Sequence, residues 1–336
     1  MSCQDKFHIL EIRDLSITFR QYSRFMKREE LPVIAKLNVT VHEGEIVAVV
    51  GASGSGKSLL AHGIMGLLPS NARMEGELLF MEEPLTLERV RKIRGKEIAF
   101  VPQGVTYLDP LMKVGAQVRE RRSGPEGRAR QEALFSAYGL PAETAEKYPF
   151  ECSGGMSRRI LLSTALMENP RLIVADEPTP GMDLEQAKKA MEDFRRFADE
   201  GNGVLLITHD VPMALSVADR IAVFYAGTTV EEAPAGDFAD ESLLRHPYTR
   251  ALWRAMPQNG FQTIPGTQPY VKNMPEGCVF GPRCPEFTEA CRGEIPLRTI
   301  RCGTVRCIRC QDDGSGHVRE HCGSAGMNDD GESGGL

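Results

Sequence analysis

The clearest candidate for a chemical site lies between positions 51 and 58. These residues read Gly-Ala-Ser-Gly-Ser-Gly-Lys-Ser and match the phosphate-binding pattern G-x-x-x-x-G-K-[ST]. The glycines let backbone N–H groups approach phosphate oxygens, because no Cβ stands in the way. Lys57 is expected to reach the β and γ phosphates, and the Ser58 hydroxyl to ligate Mg²⁺. The predicted nucleotide-binding residues here are Gly51, Ala52, Ser53, Gly54, Ser55, Gly56, Lys57 and Ser58.

A second candidate site lies where the apolar run Leu172 to Ala175 meets Asp176 and Glu177. Two acids at the end of a buried strand can place one carboxylate on Mg²⁺ and leave the next free to act on water. We assign Asp176 to the metal and Glu177 to polarising the attacking water. Alone, the same residues would fit an acidic turn after a strand, but the phosphate-binding pattern favours the catalytic interpretation.

Strands and helices in alternation must position these residues. Alternating apolar and polar residues indicate a strand at 10–19, and a second strand is expected at 33–41. Continuous apolar runs are typical of strands buried on both faces and occur at 46–50, 98–101, 172–175, 204–208 and 221–224. Helical patterns occupy 58–68, 131–138, 158–167 and 184–199. The alternation predicts an α/β fold with a largely parallel sheet.

Length and composition limit the function classes. The 336 residues correspond to about two domains. A net charge of -6 and a single Trp provide no basic footprint or stacking platform for nucleic acid, so no nucleic-acid partner is expected. The start has no signal-peptide pattern, and no window approaches the roughly 18 apolar residues of a membrane span. A cytosolic chain is expected, in which stable disulfides are rare.

Three further patterns narrow the class of nucleotide-binding protein. Ser153-Gly154-Gly155-Met156 precedes a predicted helix and forms a second anion-binding helix start. Gln103 follows the apolar run at 98–101, and His209 follows the run that ends at Thr208.

In their order along the chain, the phosphate-binding pattern, Gln103, the segment 153–156, the acid pair, Asp183 and His209 are arranged as in the nucleotide-binding subunits of ABC transporters. The chain resembles those subunits from about Leu10 to Gly236. The resemblance implies an ABC cassette with a mixed, mostly parallel sheet and a helical subdomain. It implies that Gln103 senses Mg²⁺, water and the membrane partner, and that His209 contacts the γ-phosphate. It also implies that a signature segment, Ser153, Gly154, Gly155 and Met156, clasps the nucleotide bound by the opposite subunit, with Asp183 in the D-loop.

The resemblance leaves some positions less defined. The aromatic residue that stacks on adenine is expected in the insert between the first two strands, with Tyr22 and Phe25 as candidates. Cys152 stands where this family usually has Leu, and Pro180-Gly181-Met182 replaces the usual Ser-Ala-Leu. The stretch from Gln103 to Ser153 is about a dozen residues shorter than is typical of the family, which trims the helical subdomain.

The C-terminal block has a different character, because six of the nine cysteines lie between Cys278 and Cys310. Cys278, Cys284, Cys291 and a later cysteine would provide four thiolates, which suit a [4Fe–4S] cluster or a tetrahedral Zn²⁺ site. From the residues alone, the fourth ligand is open among Cys302, Cys307 and Cys310, and Cys307 with Cys310 could form half of a zinc knuckle.

Further short patterns lie in this block: His246-Pro247-Tyr248-Thr249-Arg250-Ala251-Leu252, Ile264-Pro265-Gly266, Gly277-Cys278, Cys284-Pro285, Cys291, Pro296 and Val305-Arg306-Cys307. Through these residues the block resembles the C-terminal extension of oligopeptide, dipeptide and nickel importer ATPases. The resemblance implies an iron–sulfur cluster and selects Cys307 as the fourth ligand, because the family places that ligand in Val-x-Cys.

The sequence therefore predicts an ABC cassette at 8–240, a small Cys-rich extension at 241–310 and a disordered tail at 311–336. The expected function is that of an ATP-hydrolysing subunit that powers an importer for peptides or nickel. Since one chain has one phosphate-binding loop and one signature, it should form half of a homodimer or heterodimer. We expect two separate permease subunits, an extracytoplasmic substrate-binding protein and a place at the cytoplasmic face of the membrane. The alternatives are a soluble ABC ATPase outside transport and a redox-sensing ABC subunit with weak hydrolysis.

Overall fold

A computed structural model describes residues 7–22, 28–120, 122 and 124–310 of the chain. Phe25 and the predicted tail at 311–336 lie outside the described residues. The strands are β1 (His8–Tyr22), β2 (Arg28–His42), β3 (Ile46–Gly51), β4 (Ala72–Phe80), β5 (Glu83–Pro84), β6 (Ile98–Val101), β7 (Leu172–Asp176), β8 (Gly203–Thr208), β9 (Arg220–Tyr225), β10 (Thr228–Pro234), β11 (Arg298–Ile300) and β12 (Gly303–Val305). The α-helices are α1 (Lys57–Ile64), α2 (Leu87–Ile93), α3 (Val114–Val118), α4 (Pro125–Ala137), α5 (Gly154–Ala165), α6 (Leu184–Asp199), α7 (Val211–Leu215) and α8 (Pro247–Ala255).

Two sheets organise these elements. The larger sheet has the order β11-β12-β10-β9-β3-β8-β7-β6, and β9, β3, β8, β7 and β6 run parallel. The smaller sheet, β2-β1-β4-β5, is antiparallel. The predicted mixed, mostly parallel sheet is confirmed. The parallel arrangement brings the carboxyl ends of β3, β6, β7 and β8 to one edge of the sheet. Gly51 and Asp176 are the last residues of β3 and β7, and Gln103 and His209 come shortly after β6 and β8.

The strands of the larger sheet separate two hydrophobic cores. Successive residues of a strand point to opposite faces, so Ala48 and Val50 enter one core and Val47 and Val49 the other. The first core packs against α6 and the second against α1 and the smaller sheet. A third core joins α3, α4 and α5 through Val114, Phe135, Ile160 and other apolar side chains. These three helices form the helical part of the molecule.

Several helix boundaries differ from those predicted. The helix predicted at 58–68 ends at Ile64, because Gly66 adopts a left-handed backbone with φ 62° and Leu67 N–H donates to the His62 carbonyl at 2.8 Å. α4 begins at Pro125, six residues before the predicted start, with proline at the first helical position. α5 begins at Gly154 because the Ser153 hydroxyl accepts a hydrogen bond from Met156 N–H.

The C-terminal segment packs directly on the cassette. β12 pairs with β10, and β11 pairs with β12, so both strands extend the larger sheet. Tyr248 of α8 and Phe280 enter the first core, with ring centroids 4.4 and 5.3 Å from that of Tyr225. Among the described residues, no helix combines the length and the apolar surface that a membrane span needs.

Candidate nucleotide site and cysteine pocket

The loop between β3 and α1 holds its lysine through two backbone carbonyls. Lys57 Nζ donates to the carbonyls of Gly51 and Ala52, at 2.7 and 2.9 Å. Burial lowers the pKa of Lys57, against the raising effect of the Glu177 and Asp176 charges. Gly54 and Gly56 have φ of 76° and 101°, a backbone conformation that glycine adopts without cost. The loop thus has the strand, helix and glycine geometry of a phosphate site.

Asp176 ends β7 beside the first turn of α1. Its side chain hydrogen-bonds to Ser58, and its Oδ1 atom is buried without a hydrogen-bond partner among the described residues. Burial raises the pKa of Asp176, while the Ser58 hydrogen bond lowers it. A hydroxyl and an unpartnered carboxylate oxygen are hard oxygen ligands, the kind that Mg²⁺ prefers. The two residues therefore fit the predicted Mg²⁺ site.

Glu177 has an uncommon backbone conformation, with φ 48°. Its N–H donates to the Ile207 carbonyl at 2.8 Å, which ties it to the end of β8. Glu177 Oε1 lies 2.8 Å from His209 Nδ1, and Oε2 is buried without a hydrogen-bond partner in the described part of the chain. The His209 side chain is 64% exposed while that of Glu177 is 8% exposed. The pair therefore combines a sheltered carboxylate with an imidazole that faces solvent.

Arg158 also contacts this segment, although no sequence pattern singled it out. Its guanidinium Nη1 donates to the Glu177 carbonyl at 2.9 Å. The sequence did not predict this contact, because an arginine on a helix is ordinarily a solvated charge. The one signal that could have indicated it was the position of Arg158 shortly after the Gly154-Gly155 pair.

The other predicted residues lie at the surface near the same edge of the sheet. Gln103 is exposed and follows β6, the strand that pairs with β7. Ser153 and Gly154 are exposed at the start of α5, with Gly155 and Met156 half-buried behind them. Asp183 is the exposed N-cap of α6 and accepts a hydrogen bond from Gln186 N–H at 2.8 Å. These positions leave the signature segment open to another molecule.

Tyr22, one of the two adenine-stacking candidates, ends β1 and is 70% exposed. The other, Phe25, lies outside the described residues. Cys152, at the unusual position before the signature, is half-buried, and its thiol donates to the Tyr148 carbonyl at 3.6 Å.

Four cysteines line one pocket in the C-terminal segment: Cys278, Cys284, Cys291 and Cys307. Cys302 is exposed, and neither it nor Cys310 lines this pocket. Instead, the Cys310 thiol donates to the Arg245 carbonyl at 2.8 Å. The pocket therefore brings together the three cysteines common to every interpretation and, as the fourth, Cys307.

The thiols of this pocket are not arranged as a closed metal site. Within the described ranges, no group of three or more His, Cys, Asp or Glu side chains is placed to hold a metal ion. Burial raises the pKa of Cys278, and it raises that of Cys284 to about 11. The hydrogen bond with Cys310 lowers the pKa of Cys307. The donor set suits a thiolate-bound metal, and the side chains would have to turn toward a common centre.

Comparison with protein families gives two matches along the chain. Residues 34–180 match the family described as ABC transporter. Residues 230–291 match the oligopeptide/dipeptide transporter C-terminal region.

Curated relatives match over most of the chain. The oligopeptide transport ATP-binding protein AppD of Bacillus subtilis is 34% identical, covering 91% of this chain and 98% of the relative. The oligopeptide transport ATP-binding protein OppD of Salmonella typhimurium is 34% identical over 89% of this chain and 92% of its own length. The dipeptide transport ATP-binding protein DppD of Haemophilus influenzae is also 34% identical, over 89% of this chain and 94% of its own length.

Solved structures match the cassette portion. The dimeric post-hydrolysis state of the ATP-binding cassette MJ0796 bound to ADP and Pi has a TM-score of 0.59 and 27% identity, and covers 67% of this chain and 98% of that cassette. Another dimeric structure of MJ0796, a bacterial ABC transporter cassette, has a TM-score of 0.58 and 28% identity over 67% of this chain and 98% of its own length.

Proposed function

Since the chain belongs to the family of oligopeptide and dipeptide transport ATP-binding proteins, we propose that it powers the import of short peptides. As a member, it is an ATP hydrolase of the ABC transporter type. The relatives named above are peptide transport proteins, which favours peptides over nickel as the cargo. The observation that carries the catalytic part is the contact between the sheltered Glu177 carboxylate and His209 at 2.8 Å.

We assign the nucleotide-handling roles as the sequence predicted them. Residues 51–58 bind the phosphates, and Lys57 leaves its carbonyl partners to reach the β and γ phosphates. Ser58 and Asp176 hold Mg²⁺, which when bound neutralises charge on the phosphates. Glu177 polarises the attacking water, and His209, whose Nδ1 lies 2.8 Å from Glu177 Oε1, contacts the γ-phosphate. Gln103, exposed after β6, would sense Mg²⁺, water and the membrane partner.

Partner subunits complete the proposal. The exposed signature segment at 153–156 and the exposed Asp183 suit contact with the nucleotide of a second ATPase subunit, either identical or related. Dimeric ATP-binding cassettes are among the structural matches. Two permease subunits would carry the membrane passage, with the ATPase at the cytoplasmic face, and an extracytoplasmic binding protein would deliver the peptide. A soluble role outside transport and a regulatory role with weak hydrolysis are not favoured, because the relatives are transport proteins along nearly their whole length.

Glu177→Gln tests the catalytic assignment. The amide keeps the shape and cannot accept the proton of water, so we expect ATP turnover and peptide uptake by the reconstituted importer to fall at least about 100-fold. ATP binding, measured with a fluorescent analogue, should persist in Glu177→Gln and disappear in Lys57→Ala. Full turnover by Glu177→Gln would refute the assignment.

We also propose that the cassette spans 8–240 and that an extension with a cysteine cluster spans 241–310. In the extension, Cys278, Cys284, Cys291 and Cys307 hold a [4Fe–4S] cluster, with Zn²⁺ as the alternative. The shared pocket of these four side chains supports this ligand set over one containing Cys302 or Cys310. Bound there, a cluster would tie separate parts of the extension together through thiolate bonds.

Metal content tests the ligand set. The full chain purified without oxygen should contain iron, sulfide and the broad visible absorption of a cluster, and Cys307→Ser should lose them. Cys302→Ser is the matched control, because its thiol is exposed away from the pocket, and it should keep them. Zinc in place of iron would select the alternative metal, and a chain that binds neither would refute the site.

A further inference from the structure

One side chain joins two segments that, in the proposed function, act on different nucleotides. Arg158 belongs to α5, which begins with the signature segment assigned to the partner subunit's nucleotide. Its guanidinium donates to the carbonyl of Glu177, at 2.9 Å, and Glu177 is assigned to the nucleotide bound by this chain. The contact is half-buried, so water competes with it only in part.

The backbone conformation of Glu177 is unfavourable by itself and needs stabilising contacts. A non-glycine residue in the left-handed region costs about 1–2 kcal/mol, and Glu177 has φ 48°. Two hydrogen bonds hold the peptide groups on either side of its Cα. Its N–H bonds to Ile207 at 2.8 Å, and its carbonyl accepts from Arg158. Together they fix the direction in which the carboxylate leaves the backbone.

Arg158 acts on the backbone and leaves the carboxylate free. Glu177 Oε1 contacts His209, and Oε2 is buried without a hydrogen-bond partner in the described part of the chain, so Arg158 holds neither carboxylate oxygen. Burial lowers the pKa of Arg158, against the raising effect of the Glu177 and Asp176 charges. Arginine keeps its charge throughout the accessible pH range and offers donors in a planar fork.

A second contact brings the signature segment close to the loop that follows Glu177. A Cβ added to Gly155 would lie 3.3 Å from the Gly181 carbonyl oxygen, closer than most Cβ contacts. Gly181 belongs to the short connection between Glu177 and Asp183. The start of α5 and this connection are therefore in contact, so a displacement of one presses on the other.

We propose that Arg158 is a positioning residue that sets the direction of the Glu177 carboxylate and ties it to the placement of the signature segment of the same chain. This proposal rests on the proposed function of Glu177 and of residues 153–156. When the signature segment engages the partner subunit's nucleotide, α5 carries the guanidinium with it. Hydrolysis at one site then depends on occupancy of the other.

Three substitutions of Arg158 test the proposal in the full chain assembled with its partners. Arg158→Ala should lower kcat about 10–100-fold, the cost of displacing a catalytic group by about 1 Å. The dissociation constant for ATP should change by less than about threefold, because binding does not use Glu177. The Hill coefficient for ATP should fall toward one. Arg158→Lys retains the charge and a donor and should recover most of kcat, with Arg158→Gln between the two.

Arg130 of α4 offers a matched control with a half-buried guanidinium. It donates to the carbonyls of Met167 and Leu166, at 2.8 and 2.7 Å, beyond the last residue of α5 and away from the signature segment. Arg130→Ala should lower the melting temperature without separating kcat from ATP affinity. If Arg158→Ala behaves as Arg130→Ala does, or keeps parental kcat and cooperativity, the proposal is wrong.

A double-mutant cycle shows whether Arg158 acts through Glu177. In the background of Glu177→Gln, Arg158→Ala should not reduce the residual turnover further, because the group it positions is already disabled. An equal loss in both backgrounds would overturn the proposal while leaving the role of Glu177 intact. Full turnover by Glu177→Gln alone would instead refute the proposed function and this inference with it.

Discussion

Gly51, the last residue of β3, has no room for a side chain. It pairs with Phe224 of β9, and a Cβ built on it would lie 2.2 Å from the Phe224 carbonyl oxygen. Since the obstacle is backbone, the two strands would have to separate. The first glycine of the phosphate-binding pattern is therefore required by strand packing, in addition to any role in binding phosphate.

Gly51→Ala should lower the free energy of unfolding by about 1–3 kcal/mol, the usual cost of overpacking. Gly154→Ala is the control, because a Cβ there meets no atom within 4 Å and its φ is not in the left-handed region. Urea unfolding of the two variants measures the difference. A Gly51→Ala protein as stable as the parent would show that β3 and β9 can shift apart without cost.

Some residues of the candidate site could be predicted from the sequence, and others could not. The acid pair at 176–177 could be predicted because a short apolar run marks its strand, and the structure places Asp176 beside Ser58. The contact of Arg158 with Glu177 could not, because it joins residues 19 positions apart through a backbone carbonyl that carries no side-chain signal. From the residues alone the fourth cysteine ligand was open among Cys302, Cys307 and Cys310, and the choice of Cys307, which the resemblance implies, stays a prediction.

Elements were predicted where their apolar pattern was strong. The five buried strands of the larger sheet lie where continuous apolar runs placed them. β4 carried no such run, since most of its side chains are exposed and it includes Glu75, Gly76 and Glu77. β4 is a strand because it pairs with β1, and a local sequence pattern does not predict pairing between segments that are distant in the chain.

A buried ion pair joins the C-terminal segment to the cassette. Glu231 of β10 accepts hydrogen bonds from Arg245 and His246 N–H, at 2.9 and 2.7 Å, and pairs with the Arg245 guanidinium at 3.2 Å. Both side chains are at most 1% exposed. Arg245 also donates to the carbonyls of Ile300 and Arg301, at the turn between β11 and β12. The Glu231 carboxylate thus binds the segment that leads into α8. Through Arg245 it also stabilises the turn between the last two strands.

Glu231→Gln should lower the free energy of unfolding by about 3–5 kcal/mol, because it removes the fully buried charged partner of the Arg245 guanidinium and leaves it, among the described residues, with the half-buried Asp237. Hydrogen exchange should accelerate most in β11 and β12. Glu241→Gln breaks the ion pair of Glu241 with Arg254, which is more exposed than the pair of Glu231 with Arg245, and should cost at most about 1 kcal/mol. Equal losses in the two variants would contradict the role given to Glu231.

At the scale of the whole molecule, burial separates two sets of residues. One set is proposed to act on the nucleotide bound by this chain, and the other on the nucleotide of the partner subunit. Lys57, Asp176 and Glu177 are buried, whereas Ser153, Gly154 and Asp183 are exposed. This division suits a protein that completes its site only with a second subunit, as the single loop and single signature of the sequence predicted.

The pairing of β12 with β10 also has a consequence for the isolated cassette. A strand at the edge of a sheet offers unpaired N–H and C=O groups to other chains, and short edge strands limit this risk. β10 has seven residues, and β11, the outermost strand, has three. A chain that ended before Arg298 would uncover β10 as a template for strand addition by another copy. The C-terminal strands therefore also protect the molecule against edge-to-edge aggregation.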